Sequence, residues 1–227
     1  MTRARTRMAR YAAPVAVAVY ALMWVGYLQN WGWLRWIDWS LLNASHDAAV
    51  KHPAWLRFWE AVTNVLGPVP LRVLDTVAAA AALVRRNVRA ALVLVACGLL
   101  NGLVTQAAKG LADRPRPSTM LVPIAQTSFP SGHALETTAS LLALLAFVMP
   151  MISSTLGRIA MTVTAIILVL VGFSRVALNV HYPSDVLAGW ALGYLYVLVC
   201  LAVFRPKPLP PWAFRRSRRC DPTGSKA

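Results

Sequence analysis

Apolar residues in this chain gather into six long runs, at Tyr11 to Leu28, Asn64 to Val84, Ala90 to Ala108, Thr137 to Leu156, Ile159 to Phe173 and Val186 to Phe204. An α-helix needs about 20 mainly apolar residues to cross a bilayer core, and the pattern predicts an all-α fold, an integral membrane bundle of six transmembrane helices. Arg72 and Asp75 interrupt the second run. Charges within a span are costly and face the bundle or one another. Three residues apart on a helix, these two are expected to form a structural pair in the outer half of span two. The fifth run is short, which puts Gly157 or Ser174 near an interface.

Composition agrees with a membrane chain: of 227 residues, 58% are hydrophobic and 14% charged, a departure from the globular average. No repeat or linker divides the sequence, so residues 1–227 read as one integral domain. The opening MTRARTRMAR is basic like the start of a signal sequence. The apolar run behind it is long and has no clear small-x-small cleavage site, so it reads as an uncleaved anchor. Cys97 and Cys200 fall in predicted spans and Cys220 in the tail. They show neither a disulfide framework nor metal-ligand spacing, and no metal or other cofactor is expected.

The net charge of +15 would ordinarily raise nucleic acid as a partner, but its distribution points elsewhere. Fifteen of the 23 Lys and Arg residues lie at the N-terminus, between spans two and three (Arg85, Arg86, Arg89), between four and five (Arg158), or from Arg205 onward. Six spans put all of these on one side, which the positive-inside rule assigns to the cytoplasm together with both termini. The tail from about 205 reads as a solvated, mostly disordered end whose arginines touch anionic lipid heads. The outer segment from Gln29 to Thr63 holds Trp31, Trp33, Trp36, Trp39, Trp55 and Trp59, a composition suited to the membrane interface. The expected partners are the phospholipid bilayer and a membrane lipid, with no nucleic acid. Oligomeric state is not legible.

Three polar stretches then fall on the outer side: KGLADRPRP from Lys109, FPSGHA from Phe129 and SRVALNVHYPSD from Ser174. Pro183 suits a first helical turn and disfavours helix at Tyr182, so His181 sits in a connector just before a helix. Asp185, four residues on, can turn back to the imidazole. A carboxylate on one ring nitrogen fixes the tautomer and leaves the other free as nucleophile or base. Ser131 is an N-cap candidate, with the free N–H groups at Gly132 and beyond aimed at an anion. His133 is then placed to give a proton to a leaving oxygen. Lys109, Arg116 and Arg175 complete a cationic cluster able to stabilise a transferring phosphoryl group in the place of magnesium.

The patterns K-x6-R-P, P-S-G-H and S-R-x5-H-x3-D resemble, in order and in full, the three signatures of the type 2 phosphatidic acid phosphatase family of membrane lipid phosphatases. The resemblance implies that His181 is the nucleophile, forming a phosphohistidine, with Asp185 orienting it. It implies that His133 protonates the leaving group and then activates water. Lys109, Arg116 and Arg175 would bind phosphoryl oxygens, joined by Ser131 and the Gly132 backbone. Asp113 and Arg114 fill positions the family leaves variable and are expected only to tune the mouth of the site. Glu136 is expected to favour the positive end of its helix dipole, without a catalytic part.

The implied activity is metal-independent hydrolysis of a lipid phosphate or a polyprenyl diphosphate at the outer membrane surface. Phosphotransfer to a second hydroxyl is one alternative. An anion or lipid transporter using the cations as a binding ring is another.

Overall fold

The computed structural model describes residues 3–206, with side chains from residue 12 onward. The basic N-terminal side chains and the tail from 207 lie outside the described residues, and the expectations about them stand as sequence readings. Among the described residues every regular element is helical: α1 (Arg3–Leu28), α2 (Gly32–Lys51), α3 (Pro53–Leu66), α4 (Pro68–Val84), α5 (Val88–Gly98), α6 (Asn101–Ala112), α7 (Gly132–Val148), α8 (Ser154–Ala177) and α9 (Pro183–Phe204).

Five stretches are long and apolar enough to cross a bilayer: Pro53–Val84, Val88–Ala112, Gly132–Met151, Ser154–Ala177 and Pro183–Phe204. The segments Ala12–Leu28 and Gly32–Lys51 pass the same measure only as a pair bent by 93°. The chain thus has five candidate spans, or six with the bent pair counted as one. Several expected bounds move, among them those of the fourth span, which runs Gly132–Met151 in place of Thr137 to Leu156. The second span starts earlier, because α3 runs into α4 across a break at Gly67. The fifth is a full 24 residues and begins at Ser154 rather than Ile159.

Local chemistry sets the helix starts. Proline occupies the first turns of α3, α4 and α9, where its missing N–H costs nothing. Asn87, Ser131 and Ser153 cap α5, α7 and α8, their side-chain oxygens accepting from the N–H groups of Ala90, Ala134 and Leu156 at 3.2, 3.5 and 3.3 Å. Each cap satisfies one of the donors that a helix leaves unpaired at its start.

Helix α7 lies at the centre, against α4, α5, α8 and α9. Its approach to α9 requires glycine: a Cβ at Gly189 would stand 2.6 Å from the Ser131 carbonyl oxygen, and one at Gly193 2.6 Å from that of Leu135. Small residues give membrane helices this backbone-to-backbone contact. The core beside it is built from Ala82, Leu94, Cys97, Ala139, Ala143, Val197 and Cys200, so both span cysteines pack as apolar filler. Val73 and Val77 on α4 and Ile159, Val163 and Ile166 on α8 point outward, which is where lipid would take up apolar surface.

The Trp-rich segment is two helices, and its indoles divide. Trp33 and Trp36 are exposed, in keeping with an interfacial place. Trp59 is buried against Phe173, ring centroids 4.9 Å apart, and the Trp55 Nε1–H donates to the Ala177 carbonyl at 3.2 Å. These contacts fasten α3 to the end of α8, one of the helices that carries the site.

The expected Arg72 and Asp75 pair does not form. Arg72 turns to Glu136 of α7, Nη2 to Oε2 2.8 Å. Asp75 points inward and is fully buried under Gly98, whose added Cβ would fall 2.3 Å from the carboxylate. Neither Asp75 oxygen makes a hydrogen bond, although the Ser140 hydroxyl lies near. Each side chain meets a different neighbouring helix, Arg72 the carboxylate of Glu136 on α7 and Asp75 the space over Gly98 on α5, and these tertiary contacts override the local i,i+3 pairing.

Candidate active site

Four helix ends meet at one side of the bundle. Lys109 lies in the last turn of α6, and Asp113 ends that helix in the left-handed region (φ 43°), its N–H donating to the Lys109 carbonyl at 3.0 Å. The chain then runs without regular structure to Ser131. Phe129 anchors this loop, fully buried among the rings of Tyr20, Trp24 and Tyr27. At the other connector the N–H groups of Val180 and His181 both donate to the Arg175 carbonyl, at 3.1 and 3.2 Å. That closes α8 and turns His181 inward.

The result is a cavity of about 260 Å³ lined by Lys109, Arg116, Gly132, His133, Arg175 and His181, together with Arg72, Thr105, Glu136 and the loop residue Gln126. Six of the eight residues expected at the site therefore share one wall. Asp185 sits behind it, fully buried. Ser131, expected among the phosphate ligands, is fully buried and caps α7 instead of lining the cavity. Its N–H donates to the Asp185 carbonyl oxygen at 2.9 Å, tying the starts of α7 and α9.

The two nitrogens of His181 have different surroundings. Nδ1 is 3.5 Å from both Asp185 Oδ2 and Ser128 Oγ, while Nε2 is 3.2 Å from Arg116 Nη1. A guanidinium can only donate, so Nε2 carries the lone pair and Nδ1 the proton, which faces the carboxylate. Burial pushes the His181 pKa down to about 3 against the upward pull of Asp185, which favours the neutral imidazole.

Each motif cation is anchored by neutral oxygens. Lys109 Nζ donates to the Thr127 carbonyl. Arg116 donates to the carbonyls of Gln126 (2.6 Å) and Val180 (2.5 Å). Arg175 Nη1 donates to Thr63 Oγ1 at 2.9 Å and leaves its buried Nε–H without a partner. Three fixed cations around a concave wall make a receptor for an oxyanion. Among the described residues no group of three or more His, Cys, Asp or Glu is disposed to hold a metal ion.

Arg114 corrects the sequence reading. Expected only to tune the mouth, it is buried and bonds to Asp185 Oδ1 (2.6 Å), Asp38 Oδ2 (2.8 Å) and Ser184 Oγ (2.8 Å). Its guanidinium lies 3.9 Å from the Tyr182 ring centroid, a cation–π distance. Burial opposes the Arg114 charge, but Asp185 and Asp38 outweigh it and raise its pKa. Asp38 of α2 also accepts from the Ser184 N–H and hydroxyl at 3.0 and 2.6 Å, and Ser128 Oγ donates to Asp185 Oδ2 at 2.5 Å. Asp185 is thus held by a network that reaches back to α2. Asp38 lies in a segment with no motif, and nothing in the sequence marked it.

An all-helical membrane bundle, with an anion receptor built from three interhelical connectors around a carboxylate-backed histidine, defines the class. The chain belongs to the PAP2 superfamily, whose model matches residues 90–208. Over 97 residues it is 35% identical to Phosphatidylglycerophosphatase B of Bacillus subtilis, covering 41% of this chain and 47% of that one. Over 91 residues it is 37% identical to Decaprenylphosphoryl-5-phosphoribose phosphatase of Mycobacterium tuberculosis, covering 37% and 45%. The chain spans about half the length of these relatives. The crystal structure of a transmembrane PAP2 type phosphatidylglycerolphosphate phosphatase from Bacillus subtilis matches with a TM-score of 0.75 at 22% identity, covering 92% of this chain and 100% of that one. The architecture is shared.

Proposed function

We propose that this protein is a membrane lipid phosphatase working through a phosphohistidine without a metal ion, on the extracytoplasmic side. The observation that carries the reading is the polarity of His181: one nitrogen is backed by a fixed carboxylate and the other opens on the cation-lined cavity. In the first step Nε2 attacks phosphorus, the bond to the leaving oxygen breaks, and His133 gives that oxygen its proton. Asp185 supports the positive charge that grows on the imidazole. Lys109, Arg116 and Arg175 hold the three equatorial oxygens, where negative charge is spread in the transition state. In the second step His133 takes a proton from water, the oxygen attacks phosphorus, and the bond to Nε2 breaks to release phosphate. Ser131 contributes by capping α7 and aiming its first N–H groups, including that of Gly132, at the oxyanion.

Transport would have no use for the buried network of Arg114, Asp38 and Ser128 that immobilises Asp185, and this favours catalysis. Relatives named for a phosphatidyl lipid and a decaprenylphosphoryl sugar support a lipid-linked phosphate as substrate. A polyprenyl diphosphate, phosphatidylglycerophosphate and phosphatidic acid are the substrates to try, in that order. The test is phosphate release from each in detergent with EDTA present, beside His181→Ala. Release by the native protein alone is expected. Release that persists in the variant would remove the phosphohistidine, and no release from any lipid by folded protein would turn the case to transport or phosphotransfer.

A further inference from the structure

The cavity wall carries a fourth cation that no motif supplies. Arg72 comes from α4 and lines the same space as Lys109, Arg116 and Arg175. Its contacts differ from theirs in kind. The motif cations are anchored by carbonyls and a hydroxyl, whereas Arg72 is held by a carboxylate, Glu136 Oε2 at 2.8 Å. Its Nε–H is buried without a partner, yet its side chain as a whole is 42% exposed. Glu136 therefore satisfies this guanidinium only in part, and its remaining N–H donors can take an incoming anion as a further partner.

Position supports the same use. A Cβ built on Gly132 would lie 3.6 Å from Glu136 Oε1 and 3.9 Å from Lys109 Cε, so the ion pair stands one side chain from the phosphoryl cradle. The guanidinium also passes Gly102 of α6, 3.9 Å from where a Cβ would be, and so bridges the gap between α4 and α6. Val69 on α4, 69% exposed, lines the same cavity with apolar surface, and a lipid tail could lie beside it.

Resting on the phosphatase reading above, we propose that Arg72, aimed by Glu136, binds a second anionic phosphoryl group of the substrate, next to the one that is cleaved. The favoured substrates are then lipids with two phosphoryl groups close together, as a diphosphate or as a monoester beyond a phosphodiester. Lipids with a lone phosphate monoester gain nothing from Arg72.

The experiment compares Arg72→Gln and Arg72→Lys with the native protein on two pairs: a prenyl diphosphate against the prenyl monophosphate of equal chain length, and phosphatidylglycerophosphate against phosphatidic acid. Arg72→Gln should lower kcat/KM for the doubly phosphorylated member of one pair by about tenfold or more, mainly through KM, and for its partner by less than about twofold. Arg72→Lys should recover part of the loss. Loss confined to the first pair identifies a diphosphate, and loss confined to the second a phosphodiester. Equal losses within both pairs, or none, would overturn the proposal. A second measurement does not depend on turnover: calorimetric binding of inorganic pyrophosphate and of phosphate to His181→Ala, with and without Arg72→Gln. Pyrophosphate affinity should fall about tenfold and phosphate affinity stay; parallel or absent changes count against Arg72 even if no lipid is hydrolysed.

Discussion

At the scale of residues, the proposed site separates groups assigned to the substrate from groups that hold those in place. Arg114 belongs to the second kind. Arg114→Gln leaves the buried carboxylates of Asp38 and Asp185 without their cation, which typically costs about 3–5 kcal/mol. Denaturant unfolding in detergent should show a loss of that size. Asp113→Gly, at a backbone position that favours glycine, should change stability by no more than about 0.5 kcal/mol. His181 gives a pH dependence of definite sign. Its folded pKa of about 3 lies below the unfolded value near 6.5, so on acidification the unfolded chain takes up the proton first. Stability is fully present above about pH 6.5 and declines toward about pH 3, with a slope from this group of up to about 1.4 kcal/mol per unit. Melting temperature against pH should fall less steeply in His181→Gln.

At the scale of elements, helix starts were legible because capping is local. Ser131, Pro183 and the position of His181 ahead of α9 follow from a few consecutive residues. The contact between α4 and α5 was not legible, because it depends on which side of each helix faces the other. Gly98 receives the Asp75 carboxyl so closely that Gly98→Ala must displace it, at about 1–3 kcal/mol for an overpacked core. Asp75→Ala in the same chain should return most of that loss, since it removes the atoms in conflict. Thermal melts of the two single variants and the double variant give the coupling. Additive losses would mean that the contact is not what limits the site.

At the scale of the whole molecule, the proposed orientation rests on charge. Arg85, Arg86, Arg89 and Arg158 lie at the bundle end opposite the cavity, and the positive-inside rule puts that end in the cytoplasm. In a chain lacking Cys97, Cys200 and Cys220, a cysteine at Ala125 should react with a membrane-impermeant maleimide in intact cells. One at Arg89 should react only after permeabilisation, and the reverse pattern would invert the orientation.

The sequence by itself determined the helical class, the helix starts at Ser131 and Pro183, and the candidate set of His181, His133, Asp185 and the three motif cations, because each of these is read from residues close together in the chain. Only the tertiary structure decided that α2 returns Asp38 to Arg114 across 76 positions, and that Arg72 meets Glu136 across 64. Partners so far apart are selected by how helices rotate and cross, which is set by the packing of small residues such as Gly98, Gly189 and Gly193 against neighbours that local pattern does not encode.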